Sequence, residues 1–397
     1  MSEVNLLSSK FKANPFPFYA QLRETSPIYR AKMGNRKVWL VTRHEDVQRL
    51  TRDTRFVKDR RNITGAKQKD PWVPALLRPL MHNMLDLDEP DHRRLKTLVH
   101  QAFTPRRIDQ MKDSIREITT TLLDRMEQKN QLELIRDFAL PLPITVITRI
   151  LGVPEEDQMK FHHWTKAILK APTELNMLLS LPQLSGMMGY LRNLLVQRRA
   201  HPKDDLISAL VGAQEAGDQL SEDECLAMVF LLLVAGHETT VNLIASGTLA
   251  LLEHPAEKRR LQSDFSLIGT AVEELARYAP PVDTLTERYA QEDLELLGSP
   301  VKAGEMVLGV IVSANRDERV FKDPDTLDLD RHPNPHLSYG HGMHYCLGAT
   351  LARMDTGLAL KMLLERFPDL HLSGTVSDLR WRSTFAIRGL ERLPVEV

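Results

Sequence analysis

Only two cysteines occur among 397 residues, and one of them, Cys346, sits in the segment YGHGMHYCLG (339–348) with two histidines and three glycines. The thiolate is the nucleophilic and metal-binding form of cysteine, and it is favoured ahead of a helix, where open N–H groups and the positive dipole end stabilise negative charge. The run that follows, LGATLARMDTGLALKMLLERF, has helical periodicity and sets Cys346 just before such a terminus. Gly340, Gly342 and Gly348 let the backbone take conformations closed to other residues and lie close to a large flat group. Three chemistries use a sulfur so placed. His344 could act as base for a nucleophile, a zinc ion could recruit His332, His336, His341 or His344, and a haem iron could take the sulfur as axial ligand. The local spacing leaves all three open. Cys225, on the apolar face of another helix, reads as a small buried hydrophobe.

A second constellation lies in the most hydrophobic part of the chain, where AGHETT (235–240) sets an acid, Glu238, beside an alcohol, Thr239. Buried ionisable groups are costly and need a reason. Gly236 lowers helix stability by about 1 kcal/mol relative to alanine and leaves room against the helix. A proton-bearing pair on a weakened helix suits a site that admits a diatomic ligand and supplies it with protons. The plain alternative is a helix kink or an internal polar network. Farther on, EELARY places Glu274 and Arg277 at i, i+3, a spacing that usually makes a surface ion pair worth about 0.2–0.5 kcal/mol.

These residues need helices to hold them. Residues 106–128 carry Ile108, Met111, Ile115, Ile118, Leu122 and Met126 at steps of three and four, with Thr104 and Pro105 as cap and first-turn proline. PLPITVITRIL is a helix stopped by Gly152; SEDECLAMVFLLLVAGHETTVNLIASGTLALLEHP opens with a Ser221–Glu224 capping box; GTAVEELARY ends at Pro280 and Pro281. Strand-like runs are short: KVWLVTR (37–43), and β-favouring pieces separated by Gly/Pro turns across 294–315. The expected fold class is mainly α with small β-sheets.

Composition narrows the function. A 42% hydrophobic and 26% charged chain is that of a globular protein, neither collagenous nor disordered. A net charge of -1 gives no general attraction to nucleic acid or anionic lipid. Two cysteines make no disulfide framework, which points to a reducing cytoplasm. The start MSEVNLLSSKFKANPFPFYAQLR has no apolar signal core. The apolar run 225–236 is short of the ~20 residues that cross a bilayer, so a core helix and no membrane anchor are expected.

Taken together, the sequence resembles the cytochrome P450 family of haem-thiolate monooxygenases along essentially its whole length. The family's cysteine loop, FGxGxHxCxG, is matched by YGHGMHYCLG except at Tyr339; its oxygen-activating pattern [AG]Gx[DE]T[TS] is matched by Ala235-Gly236-His237-Glu238-Thr239-Thr240; its ExxR is Glu274 to Arg277. The resemblance implies a triangular prism of helices around a buried haem b, in one haem domain spanning 1–397 without a fused reductase. It implies Cys346 as axial iron ligand, with Ala235, Gly236, Tyr339, Gly340 and Gly348 against the haem, and His92, Lys96, Arg288 and His344 on its propionates. Lys96 stands where the family has arginine and lacks the bidentate fork. Glu274, Arg277 and Arg331 would form a buried ion network under the loop, while Thr239 and Glu238 would handle oxygen and protons.

The resemblance also places a substrate pocket at the 62–85 loop, the 165–190 region, Leu232, Leu233, Val282, Leu285, Thr286 and Phe385. These residues are mostly apolar and suit a bulky lipophilic molecule. A polyketide- or macrolide-like secondary metabolite is the first expectation and a fatty acid or fatty-acyl chain the second. Electrons would come from a ferredoxin or flavodoxin with its NAD(P)H-dependent reductase, docking near Arg93, Arg94, Arg106, Arg107 and Arg353. A haem-based sensor would not need the Glu-Thr pair. A peroxide-driven enzyme usually lacks that pair, and a zinc hydrolase would leave AGHETT and EELAR unexplained. The haem-loaded, reduced protein under carbon monoxide is expected to show a strongly red-shifted Soret band that Cys346→Ala abolishes; a band unchanged by that substitution would refute thiolate ligation.

Overall fold

The computed structural model describes residues 4–34, 36–65, 79–80, 83–102, 105–169, 174–215 and 220–397. They form helices with small sheets, in two compact units: Met1–Ala66, Ile115–Leu142 and Thr239–Val397 make the first, Lys67–Ser114 and Pro143–Glu238 the second.

The first unit contains a five-stranded sheet in the spatial order Ile28–Met33, Arg36–Val41, Met306–Gly309, Arg288–Ala290, Phe56–Val57. Alternation along the strands serves two cores. Val38, Leu40, Met306 and Leu308 join Tyr19 and Leu22 on one face, and Val41 and Val307 join Val47 and Ile311 on the other. Sequence pattern did not single out the Ile28–Met33 strand, which pairs antiparallel with Arg36–Val41. The β-favouring run after Gly309 does not continue as a strand. Val310 N–H bonds the Val41 carbonyl, and Ile311–Ala314 then closes a helical turn, with Asn315 N–H on the Ile311 carbonyl. Those four residues are buried, and this tertiary burial overrides their β-propensity.

In the same unit, the helices Ile268–Tyr278 and Ala349–Arg366 pack Ala271, Leu275, Leu360 and Leu364 together with Leu261, Leu327 and Leu329. The second unit holds the helices Asp91–Ala102, Gln158–Leu169, Glu174–Ala200 and Leu206–Glu215. Phe161 meets Trp164 and Tyr190 edge-on at 5.0 and 5.1 Å.

The long helix Glu222–Glu253 passes from the second unit into the first between Glu238 and Thr239. Its start is a reciprocal box: Glu224 N–H donates to Ser221 Oγ at 3.2 Å and Ser221 N–H to the Glu224 carboxylate at 2.8 Å. At 32 residues it is long enough to cross a bilayer, and its most apolar window has a mean hydropathy of 1.6. Two-thirds of that window is buried in the molecule, as in a core helix. The helix Pro105–Glu127 begins at the proline; Thr104 lies outside the described residues.

Pro141–Leu151 ends at Gly152, which has φ +78° and lets Val153 N–H reach back to the Thr148 carbonyl. A Cβ there would fall 2.0 Å from the Asp205 carboxylate, which is held by Arg198. Gly152→Ala is therefore expected to destabilise the protein by more than about 1 kcal/mol in urea unfolding, through backbone strain and the displaced ion pair.

Candidate active site

The cysteine loop is a closed, pinned turn. Gly340 and Gly342 have φ +72° and +71°. Gly340 N–H bonds the Leu337 carbonyl, and Cys346 N–H bonds the Tyr339 carbonyl, each at 2.8 Å. Side chains at Gly340 and Gly342 would press on the His344 and Thr51 carbonyls at 3.4 and 3.3 Å. At Gly348 a Cβ would meet nothing within 4 Å. Cys346 is exposed and outside any disulfide, and the Ala349–Arg366 helix begins three residues later. Cys225 is buried, and that burial pushes its thiol up to about 12.

What holds the loop starts at a buried ion cluster. Glu274 and Arg277, a spacing that usually marks the surface, are both 0% exposed. Arg277 Nε and Nη2 each donate to the Glu274 carboxylate at 2.7 Å, and Arg331 Nε reaches both of its oxygens at 3.1 Å. Arg277 also donates to the carbonyls of Asn315, Pro324 and Thr326. The Asn315 side chain completes the relay: its Oδ1 accepts the Leu337 N–H and its Nδ2 donates to Ser338 Oγ, both at 2.8 Å. Ser338 Oγ in turn donates to the Ala276 carbonyl. A buried ion pair is stable only when its polar groups are met in this way. Asn315 was not found from sequence, because no local spacing marks an amide that joins segments 22 residues apart.

Tyr339 packs with Leu243, Ala276 and Ala349, so the long helix touches the loop one turn past Thr239. The Arg353 guanidinium lies 4.2 Å from the Tyr339 ring centroid, while the Tyr339 hydroxyl is buried without a hydrogen-bond partner. Burial first, and the nearby Glu273 carboxylate second, raise its pKa.

On the long helix, Glu238 is buried and Thr239 half-buried, while Ala235 is exposed within an otherwise buried stretch. His237, passed over as a site residue in sequence, is fully buried. Its Nδ1 donates to the Leu233 carbonyl at 2.7 Å; its Nε2 lies 3.4 Å from Thr165 Oγ1 and 3.9 Å from the Glu238 carboxylate. Gly236 is packed against Ile147, where a Cβ would fall 3.0 Å from its side chain.

The remaining candidates divide between the units. In the second, His92 and Lys96 lie at i, i+4 on Asp91–Ala102, His92 buried and Lys96 half-buried, and Leu232 and Leu233 are buried. In the first, Arg288 is buried with Nη1 on the Thr286 carbonyl, Thr286 Oγ1 accepts from Lys58, and Val282 bridges to Ile387. Phe385 packs on the sheet core. Leu285 is committed to the opposite core, where it packs against Gly309 in the cluster that includes Val47. Residues 66–78, 81–82 and 170–173, within the two expected pocket segments, lie outside the described residues. So do the side chains of Arg106 and Arg107. Arg93 pairs with Glu89, Arg94 with Asp91 and Glu224, and Arg353 with Glu273.

The histidines near the loop diverge. His336 Nε2 bonds Glu273, whereas His341 bonds Thr51 through Nδ1 and Arg52 through Nε2. Among the described residues no three His, Cys, Asp or Glu side chains could share a metal ion.

The cytochrome P450 family model matches residues 4–375. The polyketide biosynthesis cytochrome P450 PksS of Bacillus subtilis is 44% identical over 393 residues, 98% of this chain and 97% of that one. The cytochrome P450 monooxygenase PikC of Streptomyces venezuelae is 40% identical, over 99% of this chain and 93% of its own. The structure of P450BioI with an acyl carrier protein bearing hexadec-9Z-enoic acid superposes with a TM-score of 0.90 at 39% identity, covering 98% of this chain and all of that one. The chain belongs to the cytochrome P450 family. It is a monooxygenase with the P450 fold, and its cofactor is haem b. The residues present fit that cofactor: an exposed soft sulfur, open space beside Gly348, an uncovered Ala235 on a core helix, and a buried guanidinium at Arg288.

Glu273 ties the loop's flank together. Burial alone would raise its carboxyl, but hydrogen bonds from His336 and Arg353 outweigh it and hold the value down to about 2, against an ordinary 4.5. A carboxylate depressed on folding contributes stability that is full above the unfolded value and lost as pH falls through the folded one. Glu273→Gln is expected to flatten the fall in unfolding free energy between about pH 5 and about pH 3, measured in urea.

Proposed function

We propose that this enzyme inserts one oxygen atom of dioxygen into a bulky lipophilic substrate of the polyketide or macrolide class, by hydroxylation or epoxidation. One observation carries the reading: an exposed thiol in a loop fixed from below by the Glu274–Arg277–Asn315 relay, with an acid and an alcohol adjacent on a core helix. Residues 1–397 act as one haem domain, and electrons arrive from a separate ferredoxin or flavodoxin served by an NAD(P)H-dependent reductase. Arg93, exposed beside Glu89, is the docking cation least committed elsewhere; Arg94 and Arg353 are tied into ion pairs.

Cys346 would hold the haem iron through its sulfur, and Tyr339, Gly340 and Gly348 would form the loop's contact with the haem. Ala235, exposed on the long helix, would lie against the haem, with Gly236, packed on Ile147, beside it. Arg288, His344, His92 and Lys96 would hold the haem propionates. Haem b supplies the activation of dioxygen. The protein's own residues handle protons. Each turnover takes a substrate C–H, one dioxygen, two electrons and two protons, and yields a C–OH and one water. Glu238 collects the protons and the Thr239 hydroxyl delivers them, while His237, held at Leu233, keeps the carboxylate's surroundings in place. Leu232, Leu233, Val282, Thr286 and Phe385 would line the substrate pocket, and Leu285, committed to the core behind it, would support it.

The polyketide assignment is supported by the named role of PksS. The second reading, a fatty-acyl hydroxylase, is favoured by the acyl carrier complex of P450BioI. Titration of the haem-loaded enzyme with macrolides, polyketide lactones and long-chain fatty acids, followed by the haem spectral shift, separates them: shifts with long-chain acids alone would reverse the order. Thr239→Ala is expected to keep NAD(P)H consumption while product per NAD(P)H falls at least about tenfold and peroxide rises, since a positioned proton donor contributes about 100-fold or more. Unchanged coupling would remove Thr239 from proton delivery.

A further inference from the structure

The short helix Ser9–Ala13 carries a lysine that is almost wholly out of water. Lys12 is 2% exposed, and its ammonium donates to the Asp283 carboxylate and, at 3.2 Å, to the Ile387 carbonyl. These acceptors stand in separate segments, 271 and 375 residues farther along the chain. Arg388 completes the group. It is buried, donates to the Lys12 carbonyl, and brings Nη1 to 3.6 Å from the Asp283 carboxylate.

Two cations thus surround one buried carboxylate. Arg388 and Asp283 alone would balance, and an apolar side chain at position 12 would fill the space without taking an ammonium out of water. Burial pulls the Lys12 pKa down, against the raising effect of Asp283. What a methionine there could not do is geometric: an ammonium has three donors and can tie a carboxylate in one segment to a carbonyl in another.

The two segments run side by side. Val282 bridges to Ile387, Asp283 N–H bonds the Ala386 carbonyl at 2.7 Å, and Arg388 N–H bonds the Pro281 carbonyl at 2.9 Å. Their half-buried side chains Val282, Thr286 and Phe385 are the first unit's share of the substrate pocket proposed above. The base of the second segment is fixed separately. Asn242, one turn past Thr239, accepts from Arg382 Nη2 at 3.0 Å, and a Cβ at Gly389 would fall 2.1 Å from the same amide oxygen. Phe385 lies between these anchors, in a turn whose Thr384 Oγ1 donates at 2.5 Å to the Ile387 carbonyl that Lys12 also holds.

We propose that Lys12 is a positioning residue for substrate selection: its ammonium sets the spacing of segments 281–287 and 384–388, and with it where Val282 and Phe385 stand against a bulky lipophilic substrate. The role rests on the pocket reading given above.

Two haem ligands test it, each titrated into the haem-loaded enzyme and followed by the Soret shift. Imidazole and the bulky triaryl imidazole clotrimazole both bind iron through a ring nitrogen, but only clotrimazole is large enough to reach the pocket walls. In Lys12→Met the Kd for clotrimazole is expected to rise about two- to tenfold, the worth of a displaced aromatic contact, while that for imidazole stays unchanged. Lys12→Gln, which keeps a donor for one of the two acceptors, is expected to fall between Lys12→Met and the unaltered enzyme, and carries the test if Lys12→Met does not fold. Phe385→Ala is expected to weaken clotrimazole at least as much as Lys12→Met. Unchanged clotrimazole affinity in the Lys12 variants, with Phe385→Ala weakened, would overturn the role of Lys12, as would an equal loss of imidazole affinity. Unchanged affinity in Phe385→Ala, or no binding of clotrimazole to the unaltered enzyme, would instead overturn the pocket reading.

Discussion

A carboxylate and two guanidinium groups, taken wholly or nearly out of water, anchor the chemistry of this protein. Glu274 sits between Arg277 and Arg331, and neither of its oxygens is left idle. Removing charges from water is expensive, and an incomplete set would favour unfolding. Here the set is complete only if the chain from Asn315 to Arg331 folds around it, because Arg277 takes its remaining acceptors from main-chain carbonyls there. The ion cluster thus dictates the path of an irregular segment that has little regular ladder of its own. Asn315 then passes that fixed geometry to Leu337 and Ser338, where the cysteine loop begins.

The loop has a second flank in Glu273, which binds His336 and Arg353, and Arg353 in turn covers the Tyr339 ring. Adjacent residues of one helix therefore brace the loop by different means, Glu274 through a relay and Glu273 by pairing with His336 just before it and Arg353 just after it. The long helix contributes through Leu243, packed on Tyr339. A family that usually has phenylalanine at this position would need no partner for a hydroxyl; the tyrosine carries an unmet polar group into an apolar contact.

Much of this was legible in sequence where the signal is local. The capping box at Ser221 and Glu224, the stop at Gly152, the apolar stripe of Pro105–Glu127 and the cysteine loop rest on spacings of a few residues, and physical rules for caps, turns and periodicity act over that range. The i, i+3 pair at Glu274 and Arg277 was visible too, but its burial was not suggested by local spacing, which more often means a solvated face. Ile311–Ala314 reads as strand because β-branched residues prefer it, and only burial against distant segments turns it into a helix. His237 and Asn315 escaped for the same reason: their partners, Thr165 and Leu337, lie 72 and 22 residues away. Arg316 and Arg388 both lie over the Phe16 ring, 300 and 372 residues earlier in the chain, and nothing in their own neighbourhoods announces that contact.

Asn315 uses the two ends of its amide for opposite tasks, accepting at one and donating at the other. Hydrolytic ageing converts asparagine to aspartate, which has no donor to offer Ser338 and would set a new buried charge beside the relay. This side chain is fully enclosed at the end of a helical turn, out of reach of water and followed by a bulky arginine. The amide on which the loop depends is thereby shielded from the chemistry that would spoil it.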